Sequence, residues 1–183
     1  VSYDAKCHAL KIPIADEEVQ NADDIFDLEV DATELVIEKI LLNKEVDAAN
    51  KLLDANNYHK GLQITLGATG APAKWSDYEY SNPILDIKKA REAVHRKSGM
   101  EPNVLVISEL VKNVLELHPK LNIQSGIVST DLMADAFGVD KVLVRSALKS
   151  NVINPEQIES RQNESLNYIW GNSAILAYVP SRP

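Results

Sequence analysis

Few residues in this chain have the type and spacing to do chemistry, and each set fails on a part the chemistry requires. A serine nucleophile on an elbow needs glycines at both flanks in a Gly-x-Ser-x-Gly turn, and no serine here has them. The four histidines, His8, His59, His95 and His118, are far apart, with no second His or Cys at metal-binding spacing. Each reads as a surface or satisfied core histidine. Cys7 sits beside His8 in an alternating stretch and reads as a buried or tolerated thiol. As the one cysteine in the chain, it has no intrachain disulfide partner, which fits a reducing compartment.

The segment Gly67 to Lys74 superficially resembles a phosphate cradle. A phosphate loop needs Gly directly before its Lys and Ser or Thr after it, so that backbone N–H groups face the phosphates and a hydroxyl holds magnesium. Here Ala73 precedes Lys74 and Trp75 follows. The loop is a turn on this reading. Carboxylate pairs such as Glu34 and Glu38 are what a solvated helix face supplies among 27 acidic residues. The sequence therefore points to no catalytic residue, no cofactor-binding residue and no metal site.

Composition narrows the partners. With 27 acidic against 19 basic side chains the net charge is −8, which repels a phosphate backbone and argues against sequence-specific nucleic-acid binding. No apolar stretch reaches the roughly 20 residues of a membrane-spanning helix, and the first residues lack a signal-peptide pattern. These features predict a soluble, cytoplasmically made protein with no membrane partner.

The elements that would position any site fall into two kinds. From Tyr3 to Ile14 apolar and polar residues alternate, predicting a half-buried strand limited by Pro13. No Gly or Pro then occurs before Gly61, and Leu28, Ala32, Leu35, Leu42, Val46, Ala49 and Leu53 recur at helical spacing. With Asn21 as N-cap, Asp23, Asp24 and Asp27 in the first turns and Asn56 and Asn57 as terminators, this predicts a helix of ~34 residues, on the order of 50 Å. Ile25, Val36, Ile37 and Ile40 widen its apolar stripe, which suits a spine laid against a sheet better than an isolated coiled coil.

Residues 58–82 change character, with a short alternating strand (Leu62, Ile64, Leu66), the Gly67 to Pro72 loop and the aromatic cluster Trp75, Tyr78 and Tyr80. Pro83 opens a helix that Ser98-Gly99 ends. The β-branched run Val104 to Ile107 predicts a buried strand, and Ser108 caps a helix that stops at His118-Pro119. A helix from Asp131 to Phe137, capped by Ser129 or Thr130 and closed by Gly138, leads into a strand from Lys141 to Ala147. Tyr168 to Trp170 and Ala174 to Val179 read as a strand pair around Gly171-Asn172. The fold class is α+β.

Several phrases in one order carry a family resemblance: Trp75-Ser-Asp, Ser81-Asn-Pro83-Ile84-Leu85-Asp86-Ile87, Glu101-Pro102-Asn103-Val104-Leu105-Val106-Ile107-Ser108, Phe137-Gly138-Val139-Asp140-Lys141-Val142-Leu143-Val144, and Ile169-Trp170-Gly171 before Ala174-Ile175-Leu176-Ala177-Tyr178. Together they resemble the major capsid proteins of tailed bacteriophages, whose fold encapsulin shells share. The resemblance implies a long spine helix and extended-loop exit strand of a peripheral domain over 1–60, a junction over 61–82, and a mixed α/β axial domain over 83–183. It implies a structural virion protein that self-assembles as hexamers and pentamers into an icosahedral head enclosing phage DNA. The setting is the virion after assembly in the host cytoplasm, with scaffold or other virion proteins as further partners and no enzymatic role.

The resemblance also implies that the family's N-terminal arm and most of its extended loop precede Val1 and that its returning strands follow Pro183, making this a core fragment. Part of the spine helix is then uncovered, which predicts either aggregation or artificial pairing through its exposed apolar face. Trp75, Tyr78 and Tyr80 are the candidate subunit contacts, because aromatic side chains anchor large shared surfaces; Trp170 is more simply a core residue. Two other readings are an encapsulin-like compartment shell, and, from a different class, a small α/β ligand-binding or enzymatic domain with its pocket near the Gly67 to Pro72 loop.

Overall fold

The computed structural model describes residues 8–15, 27–122, 128–150 and 166–180. The chain forms two compact units, 1–50 and 51–183.

In the first unit, residues 8–15 have no regular structure, so the strand expected from Tyr3 to Ile14 is not formed over its described part. Leu10 and Ile12 are 49% and 37% exposed. Alternation alone makes no strand without a neighbour to complete its ladder. Cys7, Asn21, Asp23 and Asp24 lie outside the described residues.

Helix α1 runs from Leu28 to Leu53, shorter than the expected span. Its 26 residues extend about 39 Å. Asp27, expected in the first turns, instead starts the helix: its carboxylate accepts the Val30 N–H at 3.1 Å and its carbonyl accepts the Asp31 N–H at 3.0 Å.

The helix ends because side chains take over its last carbonyls. Asn57 Nδ2 donates to the Lys51 carbonyl and the Tyr58 hydroxyl donates to the Leu52 carbonyl, each at 2.7 Å. Asp54 meanwhile accepts the Asn56 N–H at 2.9 Å and opens a single 3-10 turn, Ala55–Asn57. Asn57 thus terminates the helix from four residues beyond it.

In the second unit the strand expected through Leu62, Ile64 and Leu66 is absent. Lys60–Leu62 forms a 3-10 turn capped by His59, and Ile64 is 55% exposed. The next segment closes on itself through the Gly67 N–H to the Pro72 carbonyl at 2.7 Å. Gly67 and Gly70 both have positive φ there, as a tight turn demands.

Helix α2, Pro83–Ser98, follows the expected punctuation. The Asn82 side chain accepts the Leu85 N–H, Pro83 occupies the first turn, and Gly99 ends the helix at φ 71°. Strand β1, Val104–Ser108, helix α3, Glu109–Glu116, helix α4, Thr130–Phe137, and strand β2, Lys141–Arg145, form a parallel crossover unit. The Ser108 hydroxyl accepts the Val111 N–H and the Ser129 hydroxyl accepts the Leu132 N–H, so each short helix has its N-cap.

Strand β3, Leu148–Ser150, pairs with β4, Leu166–Tyr168, while β5, Ala174–Ala177, runs antiparallel against β1. The expected β4–β5 hairpin is therefore corrected. The Gly171 turn exists, with φ 52°, but its two arms enter different sheets, ordered β2-β1-β5 and β3-β4. The expected strand from Lys141 to Ala147 likewise stops at Arg145. A strand buried on both faces, as β1 is, needs a neighbour at each edge, and β5 fills the edge that β2 leaves free. Leu105, Ile107, Leu115, Met133 and Phe137, all at 0% exposure, form the core beneath this sheet.

Candidate functional site

The aromatic segment before α2 divides into an inner and an outer part. Trp75 is 9% exposed and packs in the core cluster with Ile87 and Leu105. Its indole Nε1 donates to Asp86 Oδ2 at 3.0 Å. Burying an indole requires a partner for its N–H, and Asp86, on the inward face of α2, supplies it. Sequence reading did not single out Asp86. Its signal was an acid among the apolar residues Ile84, Leu85 and Ile87 near a helix start.

Tyr78 and Tyr80 point outward, at 38% and 74% exposure. Tyr78 stands edge-on to the His118 ring, with centroids 5.4 Å apart and planes at 87°. Of the three candidate contacts, Tyr80 offers the most surface to another molecule and Trp75 the least. Trp170, read as core, is 5% exposed.

Beneath the Tyr78 ring lies a polar chain. Ser81 Oγ is 2.9 Å from His118 Nε2 and donates to the Asp77 carbonyl. His118 Nδ1 accepts the Lys120 N–H at 3.2 Å, and Lys120 Nζ donates to the Ser81 carbonyl. With Nδ1 accepting, the neutral ring carries its proton on Nε2 and donates it to Ser81 Oγ. Burial, with a smaller contribution from the Lys120 ammonium, holds the His118 pKa below the usual histidine range.

This direction of donation is opposite to that of a nucleophilic dyad, where the ring nitrogen must accept the serine proton. Ser81 and His118 are also only 1% and 0% exposed. The arrangement is a satisfied structural network.

Next to Tyr80 is an open cleft of about 740 Å³, lined among others by Ile64, Pro72, Tyr80, Leu85, Asp86 and Lys89. It lies where a ligand-binding reading of the Gly67 to Pro72 loop would place a pocket. Asp86 and Lys89 are its charged lining residues, and Asp86 is engaged by Trp75. Among the described residues no three His, Cys, Asp or Glu gather to hold a metal, and no helix is long and apolar enough to cross a membrane. His59 accepts the Gly61 N–H at 3.0 Å, a local capping role.

No protein-family model matches the chain. The major capsid protein of Burkholderia phage BcepMu is 31% identical over 179 residues, 94% of this chain and 53% of that protein. The major capsid protein of Pseudomonas phage JBD67 is 27% identical over 172 residues, 93% of this chain and 53% of that protein. The chain thus spans about half the length of these curated relatives. Among solved structures, a phage-related protein from Bordetella bronchiseptica RB50 superposes with a TM-score of 0.71 at 25% identity, covering 86% of this chain and 50% of that one. The resemblance carried by the ordered phrases is therefore borne out: the chain is similar to phage major capsid proteins over nearly its whole length.

Proposed function

We propose that this chain is part of the major capsid protein of a tailed phage, a structural subunit without catalytic machinery. One observation carries the reading: likeness to two phage major capsid proteins runs through 93–94% of the chain, not through one short motif. The related solved structure supports it at the level of the fold.

On this reading the complete protein self-assembles through hexamers and pentamers into an icosahedral head around phage DNA, in company with scaffold or other virion proteins. Helix α1 within 1–60 is the spine of the peripheral domain, 61–82 is the junction, and 83–183 is the axial domain around capsomer centres. Tyr78 and Tyr80 are its subunit contacts, while Trp75 is held in the core by Asp86. The net charge of −8 suits a wall that encloses DNA without gripping it, since a basic lining would bind the backbone and oppose its release.

Negative-stain electron microscopy of the complete gene product, expressed alone and with its neighbouring genes, tests this. Uniform closed shells or capsomer rings are expected. Small monodisperse particles under every salt and co-expression condition would overturn it.

A further inference from the structure

Helix α1 carries two apolar rows on different sides. Leu28, Ala32, Val36, Leu42, Val46 and Ala49 are partly or fully buried. A second row is not: Val30, Ile37 and Leu41 are 49%, 52% and 59% exposed, and Ala48 continues it, also exposed. Glu34 and Lys44, both exposed, stand in line with them.

The six residues Val30, Glu34, Ile37, Leu41, Lys44 and Ala48 alternate spacings of four and three, the pattern of a helix-pairing seam. At ~100° per residue they occupy one arc of about 80°. His8 approaches the helix on another side, where it meets Asn43 at 3.4 Å and Asp47 at 3.9 Å.

We propose that this seam pairs with the same seam of a second copy of the chain, as an antiparallel two-fold helix pair centred at the level of Lys39. The choice of partner comes from charge. A parallel pair sets Glu34 against Glu34 and Lys44 against Lys44. The antiparallel pair sets Glu34 against Lys44, Ile37 against Leu41 and Val30 against Ala48, and a two-fold axis makes each of these contacts twice. Neither Glu34 nor Lys44 has an ion-pair partner among the described residues.

Polar residues within an apolar seam fix register and orientation at some expense in affinity. The acidic row Asp31, Glu38 and Glu45 flanks the seam and meets its own copy in the pair, so the association is reversible and concentration-dependent. The pairing deepens the capsid reading by naming a contact between subunits, and rests on that reading only for its biological setting.

Sedimentation velocity of the 183-residue chain over a wide concentration range tests it, with circular dichroism confirming that each variant stays folded. A dimer is expected that Ile37→Glu abolishes. Glu34→Lys and Lys44→Glu should each weaken it by about tenfold or more, and an equimolar mixture of those two variants should dimerise again, because each seam then meets its charge complement. A chain that is monomeric at every concentration overturns the pairing and leaves the seam to a segment outside this chain or to another protein. Charge reversals without effect, or a mixture that stays monomeric, also overturn it. None of these outcomes touches the shell reading, which electron microscopy decides separately.

Discussion

Ser81 and His118, separated by 37 positions in sequence, meet at 2.9 Å beneath the Tyr78 ring with almost no exposure to solvent. The contact joins the segment before α2 to the turn after α3. It works only while the histidine is neutral, because Nδ1 must accept the Lys120 N–H. Protonation would place a second donor against that N–H in a buried site beside the Lys120 charge.

The pH dependence follows from the lowered pKa. Below about 6.5, the ordinary value for histidine, the unfolded chain binds a proton at this position before the folded one does, so stability falls as pH drops from there toward the folded-state pKa. Above about 6.5 both states are neutral and the contribution is constant. The melting temperature is expected to decline as the pH falls below about 6.5, and His118→Gln, which cannot titrate, should flatten that part of the profile even if it lowers stability at pH 7. An unchanged slope in the variant would assign the decline to other groups.

Trp75 and Tyr80 should separate stability from assembly. Trp75→Phe keeps most of the core volume but removes the donor to Asp86, an expected cost of about 1–3 kcal/mol in chemical denaturation. Tyr80→Ala, at a position 74% exposed, should stay within about 0.5 kcal/mol while lowering the yield of shells from the complete protein. Full shell yield from the Tyr80 variant would remove that ring from the subunit contacts. A Trp75→Ala change cannot serve this purpose, since it would open a core cavity first.

What was legible in the sequence was local. The apolar run of β1, the caps Ser108 and Ser129, the start at Pro83 and the stop at Gly138 depend on neighbours a few residues away, and the structure has each of them. Strand partners were not legible. The turn at Gly171 signals a reversal but does not say that Leu176 will pair with Leu105 and Tyr168 with Leu148. That choice is made by the exposed edge of a buried strand about seventy residues earlier. The aromatic cluster was visible as a composition; its division into a buried Trp75, bonded to Asp86, and a Tyr78 set edge-on to His118 depended on tertiary placement.

Gly138 illustrates a position where two demands coincide. Its φ is 66°, and a Cβ there would lie 2.5 Å from Arg91 Nη1, which donates to the neighbouring Phe137 carbonyl. Gly99 has a similar φ of 71° with open space where the Cβ would go. Gly99→Ala should therefore cost about 1–2 kcal/mol from the left-handed backbone alone. Gly138→Ala should cost more, by about 0.5–1.5 kcal/mol for the displaced Arg91 hydrogen bond. Equal losses in parallel urea titrations would show that the arginine moves aside freely.

Asn103 holds the sheet at the end where the ladder runs out. Its backbone N–H donates to the Ala177 carbonyl at 3.0 Å, and its carbonyl accepts the Asp140 N–H at 2.8 Å, so one residue touches the chain at both edges of β1. Beyond Ala177 its side chain takes over: Nδ2 donates to the Val179 carbonyl at 2.9 Å and Oδ1 accepts the Val179 N–H at 2.8 Å. The carboxamide thus imitates one more backbone pair of the antiparallel ladder. Only an amide carries both a donor and an acceptor in that geometry. Asn103→Asp keeps the acceptor but sets a carboxylate against the Val179 carbonyl, whereas Asn103→Ala removes both bonds. Each should lower stability by about 1–2 kcal/mol, and the aspartate should be no better than the alanine at neutral pH. The sharper readout is hydrogen exchange. The Val179 amide should lose its protection in the alanine variant while Leu176, within the β1–β5 ladder, keeps its own; protection unchanged at Val179 would mean that the strand end is held by something other than this side chain.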